Sequence, residues 1–389
     1  MRDGWIIRNL GEIADLQRGL TYSKGDEVPF SSKRVLRSNN IDLDSSKLDL
    51  TELKYLREDF AIPEDRKVKK NSIFICMSNG SKQHVGKVAF IDADIDYAFG
   101  GFMGLIVPKS GITPKYVFYN CQSSAYRLFL SSIGNGIGIT NLRFTDLANY
   151  SIPVPSIAEQ EKIVAELDCL TGIIEKKKKQ LAELDKLAQS IFYDMFGNPI
   201  ANEKGWEQRT MNELFVFSQG IQVPVEDQST NKLSGYVRFL RIIDFTQQGE
   251  PPRFIKNPGD KYLLKNGEIA IVRYGSPGFV CYGVEEGAIA NNLFKVSPKS
   301  SSFFHHRFLS FLLKTDVFQR PIKGEQYGAT MKAISFKTIG GIVFPIPPRD
   351  LQDAFAVKIE AIEKQKELVK RSIVEAETLF NSRMDYWFN

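Results

Sequence analysis

The chain has 389 residues, more than one typical domain uses, and its 43% hydrophobic content is enough to bury two cores. No apolar run approaches the roughly 20 residues that cross a bilayer, and Met1–Trp5 lacks the apolar core of a secretory signal, so a soluble, cytoplasmic protein without a membrane partner is expected. The four cysteines (Cys76, Cys121, Cys169, Cys281) stand far apart with no C-x-x-C pair, and the three histidines have no ligand partners at metal spacing, which argues against a disulfide framework or a metal site.

In chain order, residues 1–155 form a first domain-sized stretch. Short apolar runs at Ser72–Met77, Lys87–Ile91 and Gly104–Val107 read as strands bounded by Gly, Asn, Ser and Pro. Tyr116–Ser131 reads as a short helix. Residues 156–198 then give a charged helix whose positions Ile163, Leu167, Leu170, Ile174, Lys177, Leu181, Leu184, Ala188, Ile191 and Met195 alternate steps of four and three. Ser156-Ile157-Ala158-Glu159 supplies a capping box at its start.

Residues 199–348 form a second stretch, with a strand at Glu268–Val272 and a helix over Phe304–Gln319. Residues 349–389 repeat the heptad seam at Phe355, Ile359, Ile362, Lys366, Val369, Ile373, Ala376, Phe380, Arg383 and Trp387, displaced by a constant 192, with Asp350 the expected cap. The two halves answer each other along their length. Gly4-Trp5 matches Gly205-Trp206, Arg18-Gly19-Leu20 matches Gln219-Gly220-Ile221, and Leu36-Arg37 matches Leu240-Arg241. Gly80-Ser81 matches Gly275-Ser276, and Phe144 matches Phe336.

These elements predict an α+β protein: two similar globular domains joined by two long helices. A helix of roughly 38 residues is about 57 Å long. The first ends where the second domain begins, so the second helix is expected to run antiparallel to the first, giving approximate two-fold symmetry within one chain. Charge divides accordingly: residues 1–155 and 199–348 carry +3 and +5, residues 156–198 and 349–389 carry −2 and −1. Positive heads on negative stalks suit heads that meet a polyanion.

The junction Ile152-Pro153-Val154-Pro155-Ser156-Ile157-Ala158-Glu159-Gln160, its partner Phe344-Pro345-Ile346-Pro347-Pro348 and the opening Gly-Trp of each half resemble the DNA specificity subunit of type I restriction-modification systems over essentially the whole chain. The second junction, Arg349-Asp350-Leu351-Gln352, keeps only the Gln of the usual Ala-Glu-Gln. The resemblance implies two target recognition domains, each reading half of a bipartite site on double-stranded DNA, and spacer helices that dock two methyltransferase subunits. It further implies restriction subunits in the full complex, S-adenosylmethionine and ATP with magnesium on those partners, and no cofactor or catalytic residue in this chain. Domains bound on one face of a duplex should address half-sites roughly 34 to 36 Å apart.

Candidate DNA contacts lie in the Gly-loosened segments, where Asn and Gln suit adenine, Arg and Lys suit guanine, and Lys or Ser holds phosphate. In the first domain they are Arg18, Thr21, Tyr22, Lys24, Arg37, Asn79, Ser81, Lys82, Gln83, Asn141 and Arg143. In the second they are Gln219, Arg241, Arg273, Tyr274, Ser276, Lys323, Gln326, Tyr327 and Lys332. A nucleotide loop at Gly80–Val88 is disfavoured, because it has one residue too many and Val where Ser or Thr belongs. The alternative of another class is a coiled-coil scaffold whose globular ends hold proteins.

Overall fold

The computed structural model describes residues 4–81, 83–133, 141–247, 250–265, 268–274, 277–281, 286–300, 303–324 and 334–389. The chain divides into two compact units, Met1–Lys178 with Arg371–Asn389 and Lys179–Lys370. Each unit therefore holds one head together with half of each 40-residue helix, Ile157–Phe196 and Arg349–Phe388. No helix among the described residues is long and apolar enough to cross a membrane.

Both heads are built on the same two sheets. In the first unit the order is Ala14–Arg18, Met103–Pro108, Ser72–Cys76, Val88–Ile91, all antiparallel. Its second sheet orders Glu27–Val28, Lys54–Leu56, Lys33–Leu36 and Tyr97–Phe99, the last pair parallel. The second unit repeats this with Phe215–Gln219, Leu293–Pro298, Ile269–Val272 and Val280–Cys281. Its other sheet runs Arg253–Lys256, Tyr236–Leu240, Gly287–Ile289, Leu263–Leu264, with the central pair again parallel.

Each unit thus carries two four-stranded sheets, with one strand of the first packed on both of its faces. In the first unit that strand is Ser72–Cys76, which is buried throughout. Alternate residues face opposite sides of a strand. Ile73 and Ile75 join the cluster under the helices, while Phe74 and Cys76 face a second cluster with Leu36, Phe99 and Leu105.

The predicted helices over Tyr116–Ser131 and Phe304–Gln319 are each broken in two: Pro114–Asn120 with Ser124–Ile133, and His306–Leu312 with Asp316–Gly324. Hydroxyl residues interrupt the periodicity by capping, which competes with helix continuation. Ser123 Oγ accepts the Tyr126 N–H at 3.1 Å, and Thr315 sits at the corresponding break. At the long-helix starts, Ser156 Oγ accepts the Glu159 N–H at 3.3 Å. Asp350 lies inside the helix, whose first residue is Arg349, and accepts the neighbouring Leu351 N–H.

Within each unit the helix halves run antiparallel, the direction predicted from chain connectivity. In the first, Glu166 takes the Arg383 guanidinium and the Trp387 indole N–H, and Lys178 pairs with Glu377 at 2.8 Å. In the second, Asp185 pairs with Lys366, and the Phe192 and Phe355 rings meet edge-on at 5.7 Å. Among the seam positions Ile163, Leu167, Leu170, Phe355, Ile359, Ile362, Val369 and Ile373 are buried, while Ile174, Leu181, Leu184, Ile191 and Phe380 are half-buried.

A two-stranded ribbon precedes each long helix: Ile6–Asn9 with Ser151–Val154, and Glu207–Thr210 with Val343–Ile346. Its prolines, Pro153 and Pro345, sit on strands with one neighbour, where no further ladder donor is required. The helix is then locked to its head by a buried glutamine. Gln160 accepts the Thr113 N–H at 2.8 Å and donates to the Pro155 carbonyl at 3.0 Å. Gln352 accepts the His305 N–H at 2.8 Å and donates to the carbonyls of Phe303 and Pro347 at 3.0 and 2.8 Å. Their exposures are 1% and 0%.

The element that both junctions retain is therefore the one that satisfies buried backbone. Gln352→Leu strands three such groups, and at about 1–3 kcal/mol for an unmade buried hydrogen bond the expected loss is about 3 kcal/mol. Chemical denaturation checks this, and an unchanged midpoint would refute the clamp.

Candidate nucleic-acid interface

In the first unit the strand Ala14–Arg18 leads into a crossing that only glycine permits. A Cβ on Gly19 would lie 2.0 Å from the Gly100 carbonyl oxygen, and one on Gly220 would lie 2.1 Å from that of Ala290. The same backbone bonds form at both crossings. Gly19 N–H donates to Met103 and Leu20 N–H to Phe99; Gly220 N–H donates to Leu293 and Ile221 N–H to Ile289.

This crossing gathers segments distant in sequence. Leu20 bridges to Gly100, Ser78 bridges to Asn141, and Asn79 Nδ2 donates to Ser38 Oγ at 2.9 Å. An open cleft of about 630 Å³ follows, lined by Arg18, Ser78, Phe102, Asn141, Arg143 and Thr145 among others. Arg18 lies over the Phe144 ring at 5.5 Å. Arg143 is exposed and faces Asp146 at 3.7 Å.

Of the candidates in this unit, Arg18, Thr21, Tyr22, Arg37, Asn79, Asn141 and Arg143 are brought to one region. A Cβ on Gly100 would lie 3.8 Å from the Tyr22 ring and 3.9 Å from Arg37, and one on Gly101 would lie 3.6 Å from Thr21 Oγ1. Lys24 is exposed in the 3-10 turn Lys24–Asp26; Ser81, whose N–H is held by Asn79 Oδ1, and Gln83 are exposed beyond the cleft. Burial, followed by the nearby Glu27 carboxylate, raises the Tyr22 phenol, keeping it a donor. Lys82 lies outside the described residues, as do Ser276, Gln326, Tyr327, Lys332 and the Lys323 side chain.

The second unit keeps the framework and changes the side chains. Gln219 occupies the Arg18 position and donates to the Asn291 carbonyl at 3.4 Å. Arg273, at the position of Met77, lies over Phe336 at 5.6 Å and donates to the Ile334 carbonyl at 3.2 Å. Each unit thus rests one guanidinium on the same phenylalanine, delivered from different strands. Tyr274 is 37% exposed beside it.

Arg37 and Arg241 hold equivalent places in different electrostatic settings. The Arg37 N–H is capped by Asn40 Oδ1 at 2.8 Å, and the Asn40 amide donates to the carbonyls of Asp49 and Glu52. Arg37 Nε is buried without a hydrogen-bond partner among the described residues. At Arg241 the cap is Asp244, whose 1% exposed side chain binds Arg241 at 3.0 Å and Arg238 at 2.8 Å. The Arg241 charge is largely met internally, whereas among the described residues Arg37 has no carboxylate partner of that kind.

Sequence reasoning passed over Ser38, Thr145 and Phe102. The first two carry only generic polar signals, and Phe102 reads as an ordinary strand residue until its 72% exposure is seen.

Each unit thus gathers cationic, amide and hydroxyl groups around a rigid crossing, side-chain chemistry of the kind that meets a polyanion. The model of the type I restriction modification DNA specificity domain matches residues 2–186 and again 203–378. The chain belongs to that family, as a specificity subunit with two recognition domains.

It is 24% identical to the type I restriction enzyme StySPI specificity subunit of Salmonella potsdam over 412 residues, covering 98% of this chain and 86% of that one. It is 25% identical over 407 residues to the putative MjaX specificity subunit of Methanocaldococcus jannaschii, covering 95% and 91%. The fold is shared with the S subunit from M. genitalium (TM-score 0.58, 16% identical, 100% and 98% covered). A chain from a study of complex assembly and conformational transition in the type I R-M system gives 0.60 at 18% identity, with the same coverage.

Burial alone would raise the Asp244 carboxyl, but hydrogen bonds from the Arg241 side chain and backbone and the charges of Arg238 and Arg241 hold it below the usual carboxylate range. A depressed folded pKa contributes stability that is complete above the unfolded value, about 4, and is lost as pH falls through the folded value. Asp244→Ala should cost about 3 kcal/mol, the low end for a broken buried pair because both arginines keep some solvent. It should also remove part of the acid limb of a stability–pH curve; an unchanged limb in the variant would contradict the assignment.

Proposed function

We propose that each unit uses its patch to read one half of a bipartite, asymmetric site on double-stranded DNA, and that the chain itself catalyses nothing. Methyltransferase subunits, two of them, dock on the long helices and bring S-adenosylmethionine. Restriction subunits bring ATP and magnesium in the full complex. The observation that carries the reading is that both units place the same crossing beside a guanidinium on Phe144 or Phe336 while varying the residues around it. A constant frame with variable donors is what reading two different half-sites requires. The relatives that match along most of their length, the StySPI and putative MjaX specificity subunits, support it further.

Mapping methylated bases in a host carrying the complete complex defines the site. Arg18→Ala should then relax preference in one half and Arg273→Ala in the other, by roughly 5- to 150-fold for a lost bidentate contact of about 1–3 kcal/mol. If both variants altered the same half, or neither altered any, the reading would fail. Among phosphate candidates, Lys82→Ala and Lys332→Ala should weaken binding to all sequences and reduce the salt slope by about 1 each, as measured by titration at several salt concentrations.

A further inference from the structure

Among the described residues, an exposed aromatic ring on a turn inside the cleft stands outside the apolar clusters of the first unit. Phe102 is 72% exposed and shares its cleft with Arg18, Asn141 and Arg143. Its base is fixed. The Phe102 carbonyl accepts the N–H groups of Met77 and Ser78 at 2.9 and 3.1 Å, Met103 N–H closes the turn on Gly100 at 2.8 Å, and Gly100 N–H is held by Leu36 at 2.9 Å. A Cβ on Gly101 would lie 3.3 Å from the Leu20 carbonyl, so the small residues let this turn seat among the other site segments.

A ring held this way gives up little backbone freedom on contact, and flanking guanidiniums draw a polyphosphate backbone toward it. That combination, an apolar wedge bracketed by cations, is how proteins unstack a base step. In the second unit the equivalent turn is Ala290-Asn291-Asn292. The Asn292 carbonyl accepts the Arg273 N–H at 2.8 Å, as Phe102 does from Met77, but the side chain is an amide. Asn291 Nδ2 meanwhile donates to Gln222 Oε1 at 3.2 Å.

We propose that Phe102 stacks into the DNA half-site read by the first unit, opening one base step there, and that the second unit reads its half without a wedge. The proposal rests on the DNA-reading function above. A protein partner for the ring is the competing outcome, and the cations of the cleft argue against it.

The test uses the complete complex with its methyltransferase subunits on duplexes carrying 2-aminopurine at single positions across both halves. The halves are assigned to units by the Arg18 and Arg273 variants. Wild type should show a several-fold fluorescence rise at one step of the first unit's half, Phe102→Ala should abolish it and weaken binding roughly 5- to 100-fold, and Phe102→Trp should retain it. Distortion imposed by the partner subunits persists in all three proteins and is subtracted. A rise that survives Phe102→Ala, or a loss of methyltransferase capture in place of DNA affinity, would overturn the wedge while leaving DNA reading intact. Failure of wild type to bind the mapped site would overturn the DNA reading itself.

Discussion

Burial of the long-helix seams against the heads is the interaction on which each unit depends. A heptad seam on an isolated helix leaves its apolar stripe in water, and most helical stability in proteins comes from packing that stripe. Here the stripe is shared. In the first unit Ile163 and Leu167 join Met384, Trp387 and Phe388 under Tyr116 and Val117; in the second Phe192 and Phe196 join Phe355 and Ile359 under Phe308. The first core therefore needs segments from opposite ends of the chain, whereas the second is drawn from the continuous stretch Lys179–Lys370, which brings in part of each long helix.

The polar parts of the junction follow from that burial. Bringing a helix start against a head covers backbone groups that water would otherwise satisfy, and Gln160 and Gln352 supply the missing partners from inside. Glu159 has no such duty and its place in the second junction is taken by Leu351. The glutamine shared by the two junctions thus has a local structural role that its neighbour lacks.

Above the junctions the heads separate frame from content. The Gly19 and Gly220 crossings, the bridges from Leu20 and Ile221, and the helices starting at Phe144 and Phe336 recur with matching hydrogen bonds. The side chains they carry differ in charge and shape: Arg18 against Gln219, Met77 against Arg273, Asn40 against Asp244, Phe102 against Asn292. Because the frame is backbone and glycine, these exchanges leave the fold undisturbed, which is the physical condition for two heads of one ancestry to read different targets.

The repeat and the antiparallel direction of the helices were legible in the sequence, because periodicity and chain connectivity are one-dimensional facts. The breaks at Gln122 and Thr315, the second sheet of each unit and the internal neutralisation of Arg241 were not. They depend on which face of a strand is covered and which carboxylate lies across a turn. Phe102 shows the division most plainly: its identity is given by position 102, but its standing in water beside Arg18 and Arg143 exists only once three separate segments fold to one edge. Sequence by itself determined the plan of two heads on paired helices; tertiary structure alone decided which side chains face outward together, since proximity between distant segments is fixed by packing and carries no periodic signal.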